Sequence, residues 1–214
     1  MYCNDKSKLL PRPISICGID PTEGTLRVVY RVAGEGTKEF SEMKAGDTLE
    51  VMGPLGNGFT MKNEKAIIIG GGIGIPPMLE LAKQLDAEKT VVLGYRTSTF
   101  LKEEFEEVCD VKIATEDGSQ GAKGTVIDAI EKYGVEGKVI YACGPMPMLK
   151  ALAAYAEEHG MEAQISLEER MACGIGACLG CICKSKTKDH HTNVNNTRIC
   201  KDGPVFDAKE VVFS

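Results

Sequence analysis

Apolar positions follow two rhythms along the chain. From residue 65 to 167, short continuous apolar runs alternate with helical patterns. Lys65 to Gly70 reads as a strand buried on both faces, as parallel sheets require. Pro76 to Leu85 follows as a helix with proline in its first turn. Then come a strand over Thr90 to Tyr95, a short helix over Phe100 to Glu107 and a strand over Val111 to Thr115. A helix over Gly124 to Tyr133, a strand over Lys138 to Ala142, a helix over Pro145 to His159 and a strand over 161–167 complete the series. This alternation predicts an open, doubly wound parallel α/β sheet. Residues 1–53 keep a shorter rhythm. Ile14 to Ile19, Thr25 to Val32 and Thr48 to Gly53 are β-rich, with turn residues at Gly24, Gly34, Gly36 and Gly46-Asp47. They predict part of a small antiparallel barrel. Residues 54–64 form a connector, and residues 168–214 are rich in Cys, Gly and short β stretches. The expected division is 1–63, 64–167 and 168–214.

Charge narrows the partners. There are 25 Lys and Arg against 31 Asp and Glu, a net charge of −6, which disfavours nucleic acid and anionic membranes. No long apolar run and no signal-peptide pattern is visible. Nine cysteines without a secretory signal point to a reducing cytoplasm and to metal ligation. Cys3, Cys17 and Cys109 read as ordinary small residues. Tryptophan is absent, so any flavin would stack on Tyr or Phe.

The chemistry concentrates in Met171-Ala-Cys-Gly-Ile-Gly-Ala-Cys-Leu-Gly-Cys-Ile-Cys183. Cys173, Cys178 and Cys181 stand at C-x4-C-x2-C spacing, with Cys200 downstream, which is the plant-type [2Fe–2S] pattern. Gly174, Gly176 and Gly180 would let the backbone curl round a cluster. A zinc site or a disulfide knot is the bland alternative, but only Cys178 to Cys181 forms a zinc-type knuckle. A Rieske centre would need two His ligands, and the adjacent His190 and His191 read as loop residues. Cys183 would face the same side as Cys181 in a strand and could compete, but Cys200 closes the loop from a separate element.

Gly70-Gly-Gly-Ile-Gly-Ile-Pro-Pro77 follows a strand and opens a helix, which suits a pyrophosphate at a helix N-terminus. Ile75 breaks the G-x-G-x-x-G pattern, and the second strand ends Gly94-Tyr-Arg96 with no acidic residue for a ribose. A mere tight turn remains the alternative. Glu116 to Gly121 and Cys143-Gly-Pro-Met146 would lie at the carboxyl ends of the sheet, where such folds bind ligands. Arg12-Pro-Ile-Ser15 and Gly34-Glu-Gly-Thr37 combine a cation, a kink, a hydroxyl and backbone donors. Alone they read as surface; ahead of a nucleotide sheet and an iron–sulfur loop they suggest a flavin site.

Leu10-Pro-Arg-Pro-Ile-Ser-Ile-Cys17, Val29-Tyr-Arg31 with Gly36-Thr37, the Gly70 turn, Cys143-Gly-Pro and Glu168 to Cys181 together resemble the electron-transfer subunit of NAD-dependent (class 1B) dihydroorotate dehydrogenase, in the ferredoxin reductase superfamily. The likeness covers essentially the whole chain. It implies FAD held by Arg12, Pro13, Ile14, Ser15, Val29, Tyr30, Arg31, Gly36 and Thr37. It implies NAD(H) at Gly70, Gly71, Gly72, Gly74, Gly144 and Pro145, with Cys143 beside the nicotinamide as the catalytic residue. The implied partner is an FMN-containing dihydroorotate dehydrogenase catalytic subunit, two copies of each, in cytoplasmic pyrimidine (UMP) biosynthesis. A ferredoxin–NADP or sulfide dehydrogenase type of reductase subunit and a non-enzymatic redox-sensing module are the rivals. The family carries about two further barrel strands before this point, so the barrel is expected to be N-terminally incomplete and to hold FAD weakly. The polar run Lys184 to Asn196 is expected to form a hairpin tip. Met171, Ile175, Leu179 and Ile182 either face a partner or pack beneath the cluster.

Overall fold

A computed structural model of the chain describes residues 1–188 and 193–213. Its elements run β1 (Ile16–Asp20), β2 (Thr25–Val28), α1 (Glu35–Glu42), β3 (Ala66–Gly71), α2 (Ile75–Gln84), β4 (Lys89–Tyr95), α3 (Lys102–Glu106), β5 (Asp110–Thr115), β6 (Ala122–Lys123), α4 (Val126–Tyr133), β7 (Val139–Cys143), α5 (Met146–Glu158), β8 (Glu162–Ser166), β9 (Ile182–Lys184), β10 (Asn196–Arg198) and β11 (Val205–Asp207).

Seven strands form one sheet in the order β11-β8-β7-β3-β4-β5-β6. Every neighbouring pair is parallel except β11 with β8. The apolar run of β3 explains its central place, because both faces need cover. Ile67 and Ile69 point into the core built with α4 and α5; Ala66 and Ile68 point into the core built with α2 and α3. Each buried isoleucine is worth roughly 1.5–3 kcal/mol relative to exposure. Helices on both faces make the sheet doubly wound, as expected. The chain reverses direction across the sheet between β3 and β7, which opens a crevice at their carboxyl ends. Among the described residues no helix is long and apolar enough to cross a membrane.

The N-terminal part departs from expectation. Strands β1 and β2 pair antiparallel, with Ile16 opposite Val28, and stop there. The expected extension through Ile14 and to Val32 has no ladder. Thr48 to Gly53, expected as a strand, lacks a neighbour among the described residues; the backbone N–H of Tyr2 donates to Glu50 O at 3.0 Å. The antiparallel part is therefore a two-stranded hairpin. Residues 35–42, expected as turn and loop, form α1. Thr37 builds its start: the hydroxyl accepts from Ala33 N–H at 2.9 Å and Gly34 N–H at 3.1 Å. Phe40 buries one face of α1 and meets Tyr30 edge-on at 6.1 Å.

The C-terminal stretch is not a self-standing module. β9 and β10 pair as a hairpin, Ile182 opposite Arg198; residues 189–192 of the expected tip lie outside the described residues. β11 joins the large sheet instead, and Cys181, Ile199, Cys200, Ala208 and Val211 share one core with α4 and α5. His190 and His191 lie outside the described residues.

Candidate functional site

The cysteine loop gathers four thiols in two pairs. The backbone of one cysteine donates to the sulfur of the other in each pair, Cys178 N–H to Cys173 Sγ and Cys200 N–H to Cys181 Sγ. The Cys173 sulfur accepts the backbone N–H groups of Ala177 at 3.3 Å and Cys178 at 3.4 Å. Gly180 N–H donates to Cys178 Sγ, and Cys200 N–H to Cys181 Sγ, each at 3.4 Å. Positive φ at Gly174 (71°) and Gly176 (80°) makes the curl. Gly180, expected to contribute, keeps an ordinary backbone; Leu179 takes the left-handed conformation instead, at φ 58°. The N–H of Cys178, then that of Ile175, pulls the Cys173 thiol down to about 6. Burial, then the Cys181 side chain, pushes Cys200 up to about 11.

This donor set suits a binuclear cluster. Among the described residues no three His, Cys, Asp or Glu side chains converge for a single ion. A [2Fe–2S] cluster takes four thiolates, two on each iron, which is the pairing seen. No disulfide joins any of the nine cysteines. Cys183 packs half-buried on the sheet core, while Ile182 before it is exposed. Ile175 and Leu179 are also exposed, whereas Met171 packs against the core.

The crevice between β3 and β7 is lined by glycine for different reasons. Gly70 pairs with Cys143 across the sheet. A Cβ on Gly70 would press on Ile75 at 2.9 Å, so Ile75 occupies the space that a third fingerprint glycine would leave. A Cβ on Gly74 would lie 2.4 Å from Cys143 O, and one on Gly144 3.1 Å from Gly71. Gly71 would meet Met148 and Pro145. These positions lock the two loops together. Gly72 differs: its φ is 53° and nothing lies within 4 Å of a Cβ built there. An open, amide-rich turn ahead of α2 fits a pyrophosphate. Cys143 is 2% exposed; burial pushes its thiol up to about 12, with the Ser166 side chain opposing the shift. Arg96 is exposed, 3.9 Å from Glu116. The Glu116–Gly121 loop folds on itself, Asp117 accepting from Ser119 Oγ at 2.7 Å.

The flavin candidates meet at the open end of the β1–β2 hairpin. Residues 12–15 enter β1 and residues 29–31 leave β2, so the Ile16–Val28 pairing brings both segments off the same end. The Arg12 guanidinium lies on the start of α1, where a Cβ on Gly36 would fall 2.0 Å from its Nε. Arg12 Nη1 donates to Lys8 O at 3.3 Å and to Leu10 O. A cation beside a helix N-terminus fits a diphosphate. Pro13, Ser15 and Arg31 are exposed, Ile14 is half-buried, and Val29 packs on the sheet core. The Thr37 side chain is occupied in capping α1. Gly34 to Thr37 stood out in the sequence as anion donors but not as the start of a helix, and Asn57, between two glycines of the connector, gave no signal.

Family models match residues 68–154 as an oxidoreductase NAD-binding domain and residues 168–212 as the iron–sulfur cluster binding domain of dihydroorotate dehydrogenase B. Relatives named dihydroorotate dehydrogenase B (NAD(+)), electron transfer subunit, come from Caldanaerobacter subterraneus subsp. tengcongensis, 46% identical over 99% of this chain and 84% of the relative. Those from Fusobacterium nucleatum and Geobacillus kaustophilus are each 45% identical over 96% of this chain, and over 82% and 81% of their own lengths. A solved NADH-dependent reduced ferredoxin–NADP oxidoreductase chain is 33% identical, with a TM-score of 0.84 over 94% of this chain and 74% of its own. A flavohemoglobin from Malassezia yamatoensis, 19% identical with a TM-score of 0.53 over 74% of this chain and 45% of its own, shares the fold alone. With cysteine pairs, glycine crevice and cation-capped helix on one frame, and relatives of this identity along nearly its full length, the chain belongs to the family of electron-transfer subunits of NAD-dependent dihydroorotate dehydrogenase B.

Proposed function

We propose that this subunit carries electrons from the FMN of a dihydroorotate dehydrogenase catalytic subunit to NAD+, as part of a cytoplasmic assembly with two copies of each. Oxidation of dihydroorotate releases two electrons and two protons. NAD+ takes both electrons with one proton as hydride, and the other proton goes to solvent. A bound FAD supplies the exchange between hydride and single electrons, and a bound [2Fe–2S] cluster carries one electron at a time. Cys173, Cys178, Cys181 and Cys200 would hold the cluster, with backbone N–H groups offsetting thiolate charge. Arg12 and the start of α1 would bind the FAD diphosphate, with residues 13–15 and 29–31 beside it. Gly70 to Gly74 would bind the NAD(H) pyrophosphate. Gly144 and Pro145 would border the nicotinamide, and buried Cys143 would present a neutral thiol to it.

The observation that carries this reading is the two-by-two cysteine pairing, Cys178 N–H on Cys173 Sγ and Cys200 N–H on Cys181 Sγ, beside a nucleotide-type sheet. Arg96 could favour a 2′-phosphate, but Glu116 stands beside it, and NAD(H) is the expected preference. The test is NAD+ reduction by dihydroorotate when this subunit, loaded with FAD and cluster, is mixed with the catalytic subunit. The expected result is a rate well above the catalytic subunit alone. No increase at full loading would overturn the assignment.

A further inference from the structure

The connector between hairpin and sheet is fastened on two sides. Toward the sheet, Thr60 N–H donates to Gln164 Oε1 at 2.8 Å, and Gln164 Nε2 donates back to Thr60 O at 2.9 Å. Lys62 N–H donates to the Tyr141 hydroxyl at 2.9 Å. Toward the cysteine loop, one residue makes the attachment. Asn57 donates from Nδ2 to Lys201 O at 2.9 Å and Asp202 O at 3.2 Å. Its backbone N–H donates to Gly203 O at 2.6 Å. These three carbonyls directly follow Cys200.

The approach is close. A Cβ on Gly56 would lie 2.4 Å from Gly203 O. Met52 and Leu55 cover Gly174, lying 3.1 and 3.0 Å from a Cβ built there. One strip of chain therefore touches backbone beside two proposed cluster ligands and leads back to the proposed flavin segments. The chemistry at position 57 is specific. Two carbonyls need a side chain with two donors, and a carboxylate of the same size would offer acceptors only.

We infer that Asn57 is a positioning residue for electron passage between flavin and cluster, an inference that rests on the proposed function. It touches neither group in this role. It pins the Cys200 loop to the connector that joins the part of the chain holding the proposed flavin segments to the sheet, and so fixes the gap that each of the two electrons crosses singly.

The test uses the two-subunit holoenzyme with Asn57→Ala, Asn57→Asp and Asn57→Gln. Hydride exchange between NADH and thio-NAD+ reads nucleotide and flavin without the cluster. Visible iron–sulfur absorption reads cluster loading. Rapid-mixing reduction of the cluster by NADH reads the gap. The first two should be unchanged in all three variants. Cluster reduction should slow severalfold in the Ala and Asp variants, with partial recovery in the Gln variant, which keeps the donors. Cluster reduction at the unsubstituted rate in the Asp variant would overturn the inference. So would loss of cluster absorption, or an equal fall in hydride exchange, since Asn57 would then be building the fold. Absence of NADH-driven cluster reduction in the unsubstituted holoenzyme would instead strike the proposed function, and this inference with it.

Discussion

A thiol that accepts two backbone N–H bonds is held toward its anionic form before any iron arrives. Cys173 is in that position, with Ala177 and Cys178 as donors at 3.3 and 3.4 Å. Cys181 and Cys200 are buried instead, and burial pushes the Cys200 thiol up to about 11. Cys183 is half-buried; burial pushes its thiol up to about 11, with the neighbouring Cys181 adding to the shift. Single Cys→Ser substitutions at 173, 178, 181 and 200 should each abolish the visible iron–sulfur absorption, and Cys183→Ser should keep it. Full absorption in Cys200→Ser would reject that position as a ligand. As proposed ligands, Cys173, Cys178 and Cys181 were legible because their spacing is a local property of the chain. Asn57 was not, since its side-chain partners lie 144 and 145 residues away.

At the scale of elements, the turn between β3 and α2 separates two uses of glycine. Gly74 is required by packing against Cys143, whereas Gly72 faces open space at positive φ. Gly72→Val should therefore leave cluster absorption intact while weakening NADH binding at least tenfold in a fluorescence titration. The left-handed backbone adds about 1–2 kcal/mol of strain. Affinity equal to that of a distant surface variant would move the nucleotide elsewhere. The parallel sheet was readable because strands covered on both faces must be apolar throughout. α1 was not, because Gly34 and Gly36 suggest turns and its single buried aromatic, Phe40, sets no periodicity. Thr48 to Gly53 has β-rich composition, but a strand exists only when another comes alongside, and composition does not report that. β6 has two residues, too few to leave a pattern.

For the whole molecule, the division at residue 168 is one of chemistry rather than of folding. β11 covers the edge of β8, and Ile199 and Val211 are buried in the core shared with α4 and α5. Removing residues 168–214 should cost about 3 kcal/mol or more from those two side chains alone, besides the β11–β8 hydrogen bonds. The shortened chain should unfold at a clearly lower temperature by circular dichroism and should aggregate through the bared β8 edge. An unchanged melting temperature would make the nucleotide unit autonomous after all. The position of β11 also orders events in time. It is translated after every other strand of its sheet, and after all four paired cysteines. Cys200 stands five residues before β11, so the last proposed ligand and the strand that closes the β8 edge reach the folded core together.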